Sequence, residues 1–365
     1  VNSSRRRIYG DDHHAFRDSA KRFIATEVAP NLDEWRRANG MPRSVIAAAG
    51  DAGFLSAAIP EEFGGSGTDD LGFLAVLIEE TIAAGATGLA LLWALHAGVT
   101  IPFLLEHATA AHKQQWLPGL ATGQLIAVPA PATLSSVAGA RIADALLVQN
   151  DSEFVALVPL GQPGVTITPI DDNLAGRDAG LADVTLGDVD TNTGLASATA
   201  LHRDLDLWFA VLALASARTA TALAVDYVHA RKVFGRPLAE FENTRFRLAE
   251  LWAELASVTV FVDCCVHARS IGALDVADAA AARLTANRVC GRAVDQSLQL
   301  HGGYGYMREY PISHAFADAR FLEVMASAYS NPRQTLASSR PLAAPRSRTA
   351  ARAAQPPPGW SAQRR

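Results

Sequence analysis

Along residues 12–120 apolar side chains recur at helical spacing. Phe16, Phe23 and Ile24 fall on one face of a first helix, followed by Val28, Pro30 and Trp35. A second periodic segment over 45–58 stops at Ile59-Pro60, and the Gly64-Gly65-Ser66-Gly67 turn precedes a long helix carrying Glu79 and Glu80. Another helix is predicted over 110–117, ending at Pro118-Gly119. Residues 81–105 hold no Asp, Glu, Lys or Arg and are long enough to cross a bilayer. Their richness in Gly and Ala, with His96, Thr100 and Pro102, predicts a helix buried on all sides and no membrane span.

The period changes near Ile126. Short β-like runs at 143–148, 154–159, 165–170 and 182–186 are separated by Gly, Pro, Asp and Asn. This insertion of roughly 65 residues lacks GxGxxG and is too small for a dinucleotide-binding α/β unit. From His202 onward the helical period returns, with long helices expected over 207–229, 245–271 and 277–300 in antiparallel packing. The fold class is mainly α with a small β insertion. An N-terminal all-α domain is expected over 8–123, a reduced β-domain over 124–198 and a C-terminal four-helix bundle over 199–337. Residues 338–365, with six arginines, no acid and Pro356-Pro357-Pro358, read as a disordered basic tail.

Composition adds exclusions. The chain of 365 residues is 49% hydrophobic and 19% charged, so a sizeable core is available. Net charge is −5, and leaving out the arginines of the tail gives about −11 on the rest, which argues against nucleic-acid binding. Arg5, Arg6 and Arg7 are not followed by an apolar run, so the N-terminus does not read as a signal peptide. Three cysteines (Cys264, Cys265, Cys290) show no metal-ligand spacing and fit a reducing, cytoplasmic setting, with the adjacent pair expected in the core. His107 and His112 are spaced onto different helix faces, so no metal site is expected, and Ser135-Ser136 lacks a nucleophile-elbow context.

Four motifs in order carry a resemblance. Ala52-Gly53-Phe54 leads to Ile59-Pro60-Glu61-Glu62-Phe63-Gly64-Gly65-Ser66-Gly67, and Trp116-Leu117-Pro118-Gly119-Leu120-Ala121-Thr122-Gly123 closes the first helical part. Arg231-Lys232-Val233-Phe234-Gly235 with Pro237 forms an RxxFG turn, and Gln299-Leu300-His301-Gly302-Gly303-Tyr304-Gly305-Tyr306 a QxxGGxGY element. Over residues 8–335 the chain resembles the acyl-CoA dehydrogenase family of flavoproteins. The resemblance implies an FAD shared across a subunit interface in a dimer or tetramer. Arg231 would then supply a fork of donors to its pyrophosphate, and Phe234 an apolar surface beside it. Gln299 would bond the same cofactor, and Gly302-Gly303 would admit close backbone approach. Glu242 stands where the family usually has Gln, bringing a negative charge near the phosphates.

Two family elements are missing. Neither a TEPxAGSD-like loop nor an NGxKxFITN-like strand occurs, since 123–131 pass within a few residues into 140–146, so the flavin cradle is expected to be lost from a shortened β-domain. The family's proton-abstracting carboxylate lies eight residues after the Asp of a DAK/DAR motif. After Asp318-Ala319-Arg320 that position is Ala326, which accepts no proton. The alternative family position, 26 residues before the RxxFG arginine, is Leu205. Glu323 is the rescue candidate, while Asp206 lies about 100° away from Leu205 around the helix. Both carboxylates are expected as solvated charges, and His301 as packing.

The resemblance implies a part in FAD-dependent α,β-dehydrogenation of an acyl-CoA thioester, in fatty-acid or sterol side-chain metabolism. Within the family the chain is similar to accessory subunits of heteromeric acyl-CoA dehydrogenases of actinobacterial type, so one reading is a non-catalytic subunit completing a partner subunit's FAD site. Two others stay open: an active homo-oligomer using Glu323, and a redox-inactive acyl-thioester binder.

Overall fold

The computed structural model describes residues 6–150, 154–189, 191 and 195–339. Helix α1 (Asp11–Phe23) begins with two acids and ends with Lys21 and Arg22, so charge opposes the helix dipole at both ends. Phe16 and Phe23 both meet Phe54 edge-on, with ring centroids 5.2 Å apart in each pair. A π-helical turn, Ile24–Val28, leads into α2 (Leu32–Ala38), which ends where Asn39 turns left-handed. Helix α3 (Arg43–Asp51) is shorter than its apolar pattern, because Phe54, Leu55 and Ile59 are buried from irregular chain.

Helix α4 (Gly72–Ala83) is followed by α5 (Thr87–Trp93), a π-helical stretch Ala94–Thr100, and α6 (Ile101–His107). Thr87–His107, like two longer helices of the C-terminal part, has the length and apolar composition to cross a membrane, and 94% of its most apolar stretch is buried inside the protein. His96 is central to that burial. Its Nδ1 accepts from the Ala127 amide at 3.4 Å and its Nε2 lies 3.2 Å from the Leu120 carbonyl, a pattern that a neutral ring protonated on Nε2 satisfies. Helix α7 (Ala110–Ala121) continues through Pro118, where a stop was expected. The carbonyl of Gln114, which loses its partner there, belongs to an exposed residue and is open to water.

The strands β1 (Ala127–Pro129), β2 (Ala145–Gln149), β3 (Phe154–Pro159), β4 (Val165–Pro169), β5 (Ala182–Leu186) and β6 (Ala196–Ser197) form two small sheets. One has the order β1-β2-β3-β6, with β1 parallel to β2 and the remaining pairs antiparallel; the other is the antiparallel pair β4-β5. The four β-like runs of the sequence correspond to β2–β5. Strands β1 and β6, three and two residues long, are too short to show a period.

Helices α8 (Ala198–Ala230), α9 (Glu242–Ser270), α10 (Val276–His301) and α11 (Pro311–Tyr329) make the C-terminal bundle, and α8 packs chiefly on α10. Helix α12 (Pro332–Ser339) closes the described part and takes in the first two residues of the tail expected over 338–365, the rest of which lies outside the described residues. Cys265 is buried as expected, but Cys264 is exposed, because neighbouring helix positions diverge by about 100°.

Two groups of buried charges help to hold the parts together, beside the buried Asp204 of α8, which with Glu106 of α6 binds Arg203 and Arg269. Arg6 binds Asp263 of α9 (Nε to Oδ2 2.9 Å) and also Glu79 of α4, while Arg17 binds Glu79 (2.9 Å) and Glu80. Burial opposes ionisation of Glu79, yet Arg6, Arg218 and Arg17 hold its carboxyl below the ordinary value. The second group joins all three parts of the chain. Asp318 of α11 accepts from the Gly176 amide (3.0 Å) and from the Thr87 hydroxyl (3.1 Å), and Asp178 accepts from the Leu89 amide (3.0 Å). Gly88 is required between them, since a Cβ there would stand 2.3 Å from the Ala179 nitrogen.

Burial first, and then the charge of Asp318, push the Asp178 carboxyl up to about 6. The folded state therefore binds this proton more tightly than the unfolded chain, whose value is near 3.8. Its contribution to stability is full below about pH 4 and is lost as pH rises through 6, up to about 3 kcal/mol. Asp178→Asn keeps an acceptor for Leu89 and removes the charge. It should melt above the parent chain at pH 7.5, with the gap narrowing through pH 4.5 and closing by about pH 3.5 in thermal scans; a gap constant across pH would contradict the raised carboxyl.

Candidate functional site

Helix α8 ends at Ala230, and Arg231 adopts an extended backbone that feeds a two-residue hairpin. Its strands are β7 (Lys232–Val233) and β8 (Arg236–Pro237). Phe234 and Gly235 form the turn, both with positive φ (50° and 81°), the geometry of a type I′ hairpin. A phenylalanine in the left-handed region is strained. Its ring is 95% exposed at the hairpin tip.

Helix α10 delivers the other half of the site. It ends at His301 because Gly302 takes φ 58° and ψ −138°, a combination that favours glycine, and a 3-10 turn Gly302–Tyr306 follows. His301 packs as expected: its ring stacks on Tyr227 with centroids 4.1 Å apart, and its Nδ1 lies 2.8 Å from the Ser297 carbonyl. The Tyr227 hydroxyl donates to the His301 carbonyl (3.3 Å), tying α8 to the end of α10. The Arg231 guanidinium lies over the Tyr304 ring, 5.4 Å from its centroid.

These elements enclose a cavity of about 480 Å3 lined by Arg231, Gln299, Gly302, Gly303, Tyr227 and Tyr304, among others. Four of the five residues expected to meet a cofactor thus share one cavity, and Phe234 projects away from it into solvent. Among the described residues Arg231 has no carboxylate partner, and a Cβ at Gly303 would meet nothing within 4 Å. A charge-bearing fork, neutral amide groups and open space suit the diphosphate and base of a dinucleotide. Tyr227 was missed in the sequence although it lies one helical turn before Arg231, on the same face.

The proton-abstracting positions look different. Ala326 and Leu205 are each 1% exposed, and α11 runs unbroken through Ala326 to Tyr329. Glu323 is half exposed and takes a bond from Arg320 (2.7 Å) one turn away. Asp206 departs from the expected solvated charge: it is 1% exposed. Its Oδ1 accepts from Arg283 of α10 (2.7 Å) and from the Ser330 hydroxyl (2.6 Å), while Arg283 also lies over the Phe209 ring. The rotation that turns Asp206 away from Leu205 directs it to α10, where a guanidinium makes burial tolerable. The loop between β1 and β2 is likewise closed on itself. Val137, Ala138 and Ala140 are buried, and Asp183 receives the Ser135 hydroxyl (2.7 Å) and the Ser136 amide (2.8 Å).

Models of the acyl-CoA dehydrogenase N-terminal and C-terminal domains match residues 10–124 and 207–326. The chain belongs to the acyl-CoA dehydrogenase family. The long-chain specific acyl-CoA dehydrogenase of Rattus norvegicus mitochondria is 28% identical over 360 residues, covering 86% of this chain and 83% of that protein. The 3-(aryl)acrylate reductase of Clostridium sporogenes is 24% identical, covering 87% and 95%. An acyl-CoA dehydrogenase structure from Geobacillus kaustophilus superposes with a TM-score of 0.83 at 25% identity, over 92% of this chain and all of that one. A Mycobacterium smegmatis glutaryl-CoA dehydrogenase solved with FADH2 shares the fold, with a TM-score of 0.81 at 18% identity over 92% and 95%.

If the Asp206–Arg283 pair is structural, Asp206→Ala should strand a buried guanidinium and destabilise the chain by about 3–5 kcal/mol. Urea midpoints with and without the substitution measure this. An unchanged midpoint would release Asp206 for a chemical role.

Proposed function

We propose that this chain serves the FAD-dependent α,β-dehydrogenation of an acyl-CoA thioester as an accessory subunit that completes a family partner's FAD site. One contrast carries the reading. The cavity of Arg231, Gln299 and Gly302-Gly303 is open and its guanidinium has no carboxylate partner among the described residues, whereas both proton-abstracting positions, Ala326 and Leu205, are buried alkyl groups. Arg231 would hold the pyrophosphate through charge-assisted bonds, Gln299 would bond the adenosine end, and Phe234, which projects from the hairpin tip, would meet what the partner places outside the cavity. Bound FAD would supply the two-electron acceptor. A carboxylate suited to α-proton removal would come from the partner, together with the loop that walls the flavin ring.

The alternative in which Glu323 abstracts the proton gains no support from its position, since a half-exposed carboxylate already paired with Arg320 is neither desolvated nor aimed into a cavity of substrate size. The redox-inactive acyl-thioester binder shares the absent base and differs in the fate of the Arg231 cavity. We place the protein in a reducing, cytoplasmic setting on the strength of its free thiols, one of them exposed.

Flavin content separates these readings. In the complex with its cognate flavin-bearing subunit, Arg231→Ala should lower FAD per complex, because each charge-assisted bond contributes on the order of 1.5–3 kcal/mol. Gln299→Ala should act in the same direction more weakly, and the melting temperature of the isolated chain should hardly move. Full flavin in Arg231→Ala, together with a destabilised chain, would make the arginine a helix cap and end the shared-site reading. Stoichiometric flavin and dehydrogenation by the chain alone would end it too. Glu323→Gln should leave any turnover by the complex unchanged; loss of turnover would restore Glu323 as the base.

A further inference from the structure

Next to the Arg231 cavity, two further cavities adjoin where α2, α4, α8 and α11 meet. One, of about 380 Å3, is walled by Ile82, Ala84, Leu223, Pro311 and Ala315, with the Ser216 and Thr219 side chains along α8. The other, of about 500 Å3, is bordered by Arg36, Arg37, Arg177 and Arg308. Arg36, Arg308, His314 and Asp318 line both, so the two form one cleft with an apolar half and a cationic half. Each volume lies within the range of small-molecule sites.

The cationic half is built, and it carries more guanidinium than carboxylate. Arg36 is held by the Gly85 carbonyl (Nη2 to O 2.8 Å) and Arg177 by Asn39 (2.7 Å), while the Arg308 carbonyl accepts from His314 (2.9 Å), which fixes the segment bearing Arg308. Among the described residues Arg37, Arg177 and Arg308 have no carboxylate partner, whereas Arg36 has the exposed Asp33 at 3.7 Å and also favours the ionised forms of Asp178 and Asp318. Of the carboxylates in the lining, Asp318 is partly buried with its oxygens engaged by Gly176 and Thr87, while Asp33 and Glu309 are exposed. Four guanidinium groups against the carboxylates of Asp33, Asp318 and Glu309 leave an excess of positive charge for an anion, and the adjacent apolar wall selects for an anion attached to carbon chain.

We propose that this cleft binds a small amphiphilic organic anion, its apolar body against Ile82, Leu223 and Ala315 and its carboxylate or phosphate head among Arg36, Arg177 and Arg308. The site goes beyond the function proposed above and uses neither Arg231 nor Gln299. Glu309 alone borders both this cleft and the Arg231 cavity.

The test is calorimetric titration of the full chain at low ionic strength with octanoate, octyl phosphate and octanol. At least one of the two anions should bind saturably at one site, tenfold or more tighter than octanol, and the preference between them identifies the head group. The double variant Arg177→Ser, Arg308→Ser should weaken the anion at least tenfold and leave octanol unchanged. Thr219→Leu should fill the apolar half and weaken anion and alcohol together. Arg231→Ala should leave the anion's affinity intact. Absence of saturable binding, equal affinity for octanol, or an unaffected double variant overturns the proposal, and loss of binding in Arg231→Ala places the anion in the other cavity and overturns it as well. Should the double variant fail to fold, Thr219→Leu decides: undiminished anion binding in that variant overturns the cleft.

Discussion

Asp318 is the residue on which the arrangement of this chain turns. It belongs to the C-terminal bundle, yet its two oxygens are taken by Thr87 at the start of α5 and by Gly176 in the segment between β4 and β5. A carboxylate that receives an amide and a hydroxyl in a desolvated setting fixes direction as well as distance. Three segments that have no sequence neighbourhood are thereby held in one register, and Asp178 joins them at the same point. Burial raises the proton affinity of Asp318, as it does for Asp178, so the junction sets two carboxyl groups where the surrounding chain solvates their charge least. Arginines gather around this charge, and the cleft beside it inherits their excess.

Much of this was legible in the sequence, and the reason is periodicity. Helices α8, α9 and α10 begin and end within a few residues of the apolar pattern, apart from the first turns of α8, and β2–β5 coincide with the β-like runs. The residues of the Arg231 cavity were found because they sit in two compact motifs at helix ends, where backbone geometry and residue type are tightly coupled. Asp206 was misread for the opposite reason. Its environment is set by Arg283 and Ser330, 77 and 124 residues away, and no local pattern announces a partner at that separation. The Asp178–Asp318 junction and the arginine cleft were invisible on the same ground, since they exist only where segments distant in sequence meet.

Two guanidinium groups show how one residue type does different work in different surroundings. Arg283 is buried, and it holds Asp206 and Ser330 while lying over Phe209, so its charge is consumed in joining α8 to α10 and the end of α11. Burial pulls its proton affinity down, and Asp206 opposes that pull. Arg231 stands at a helix end beside Tyr304 with its donors directed to open space. The first arrangement is a fastening. The second resembles half of a contact whose other half lies outside the chain.

The hairpin tip carries a consequence for the life of the protein in the cell. Phe234 occupies a backbone conformation in which asparagine or glycine would sit more comfortably, and its ring stands in water beside a bundle that offers it no cover. Tyr306, 89% exposed, lies in the turn that closes the other side of the same cavity. An aromatic pair displayed in this way is adhesive to any apolar surface it meets during synthesis. The supply of whatever surface covers it would then set how much of the chain survives, so that its abundance would follow the abundance of its cover rather than its own rate of production.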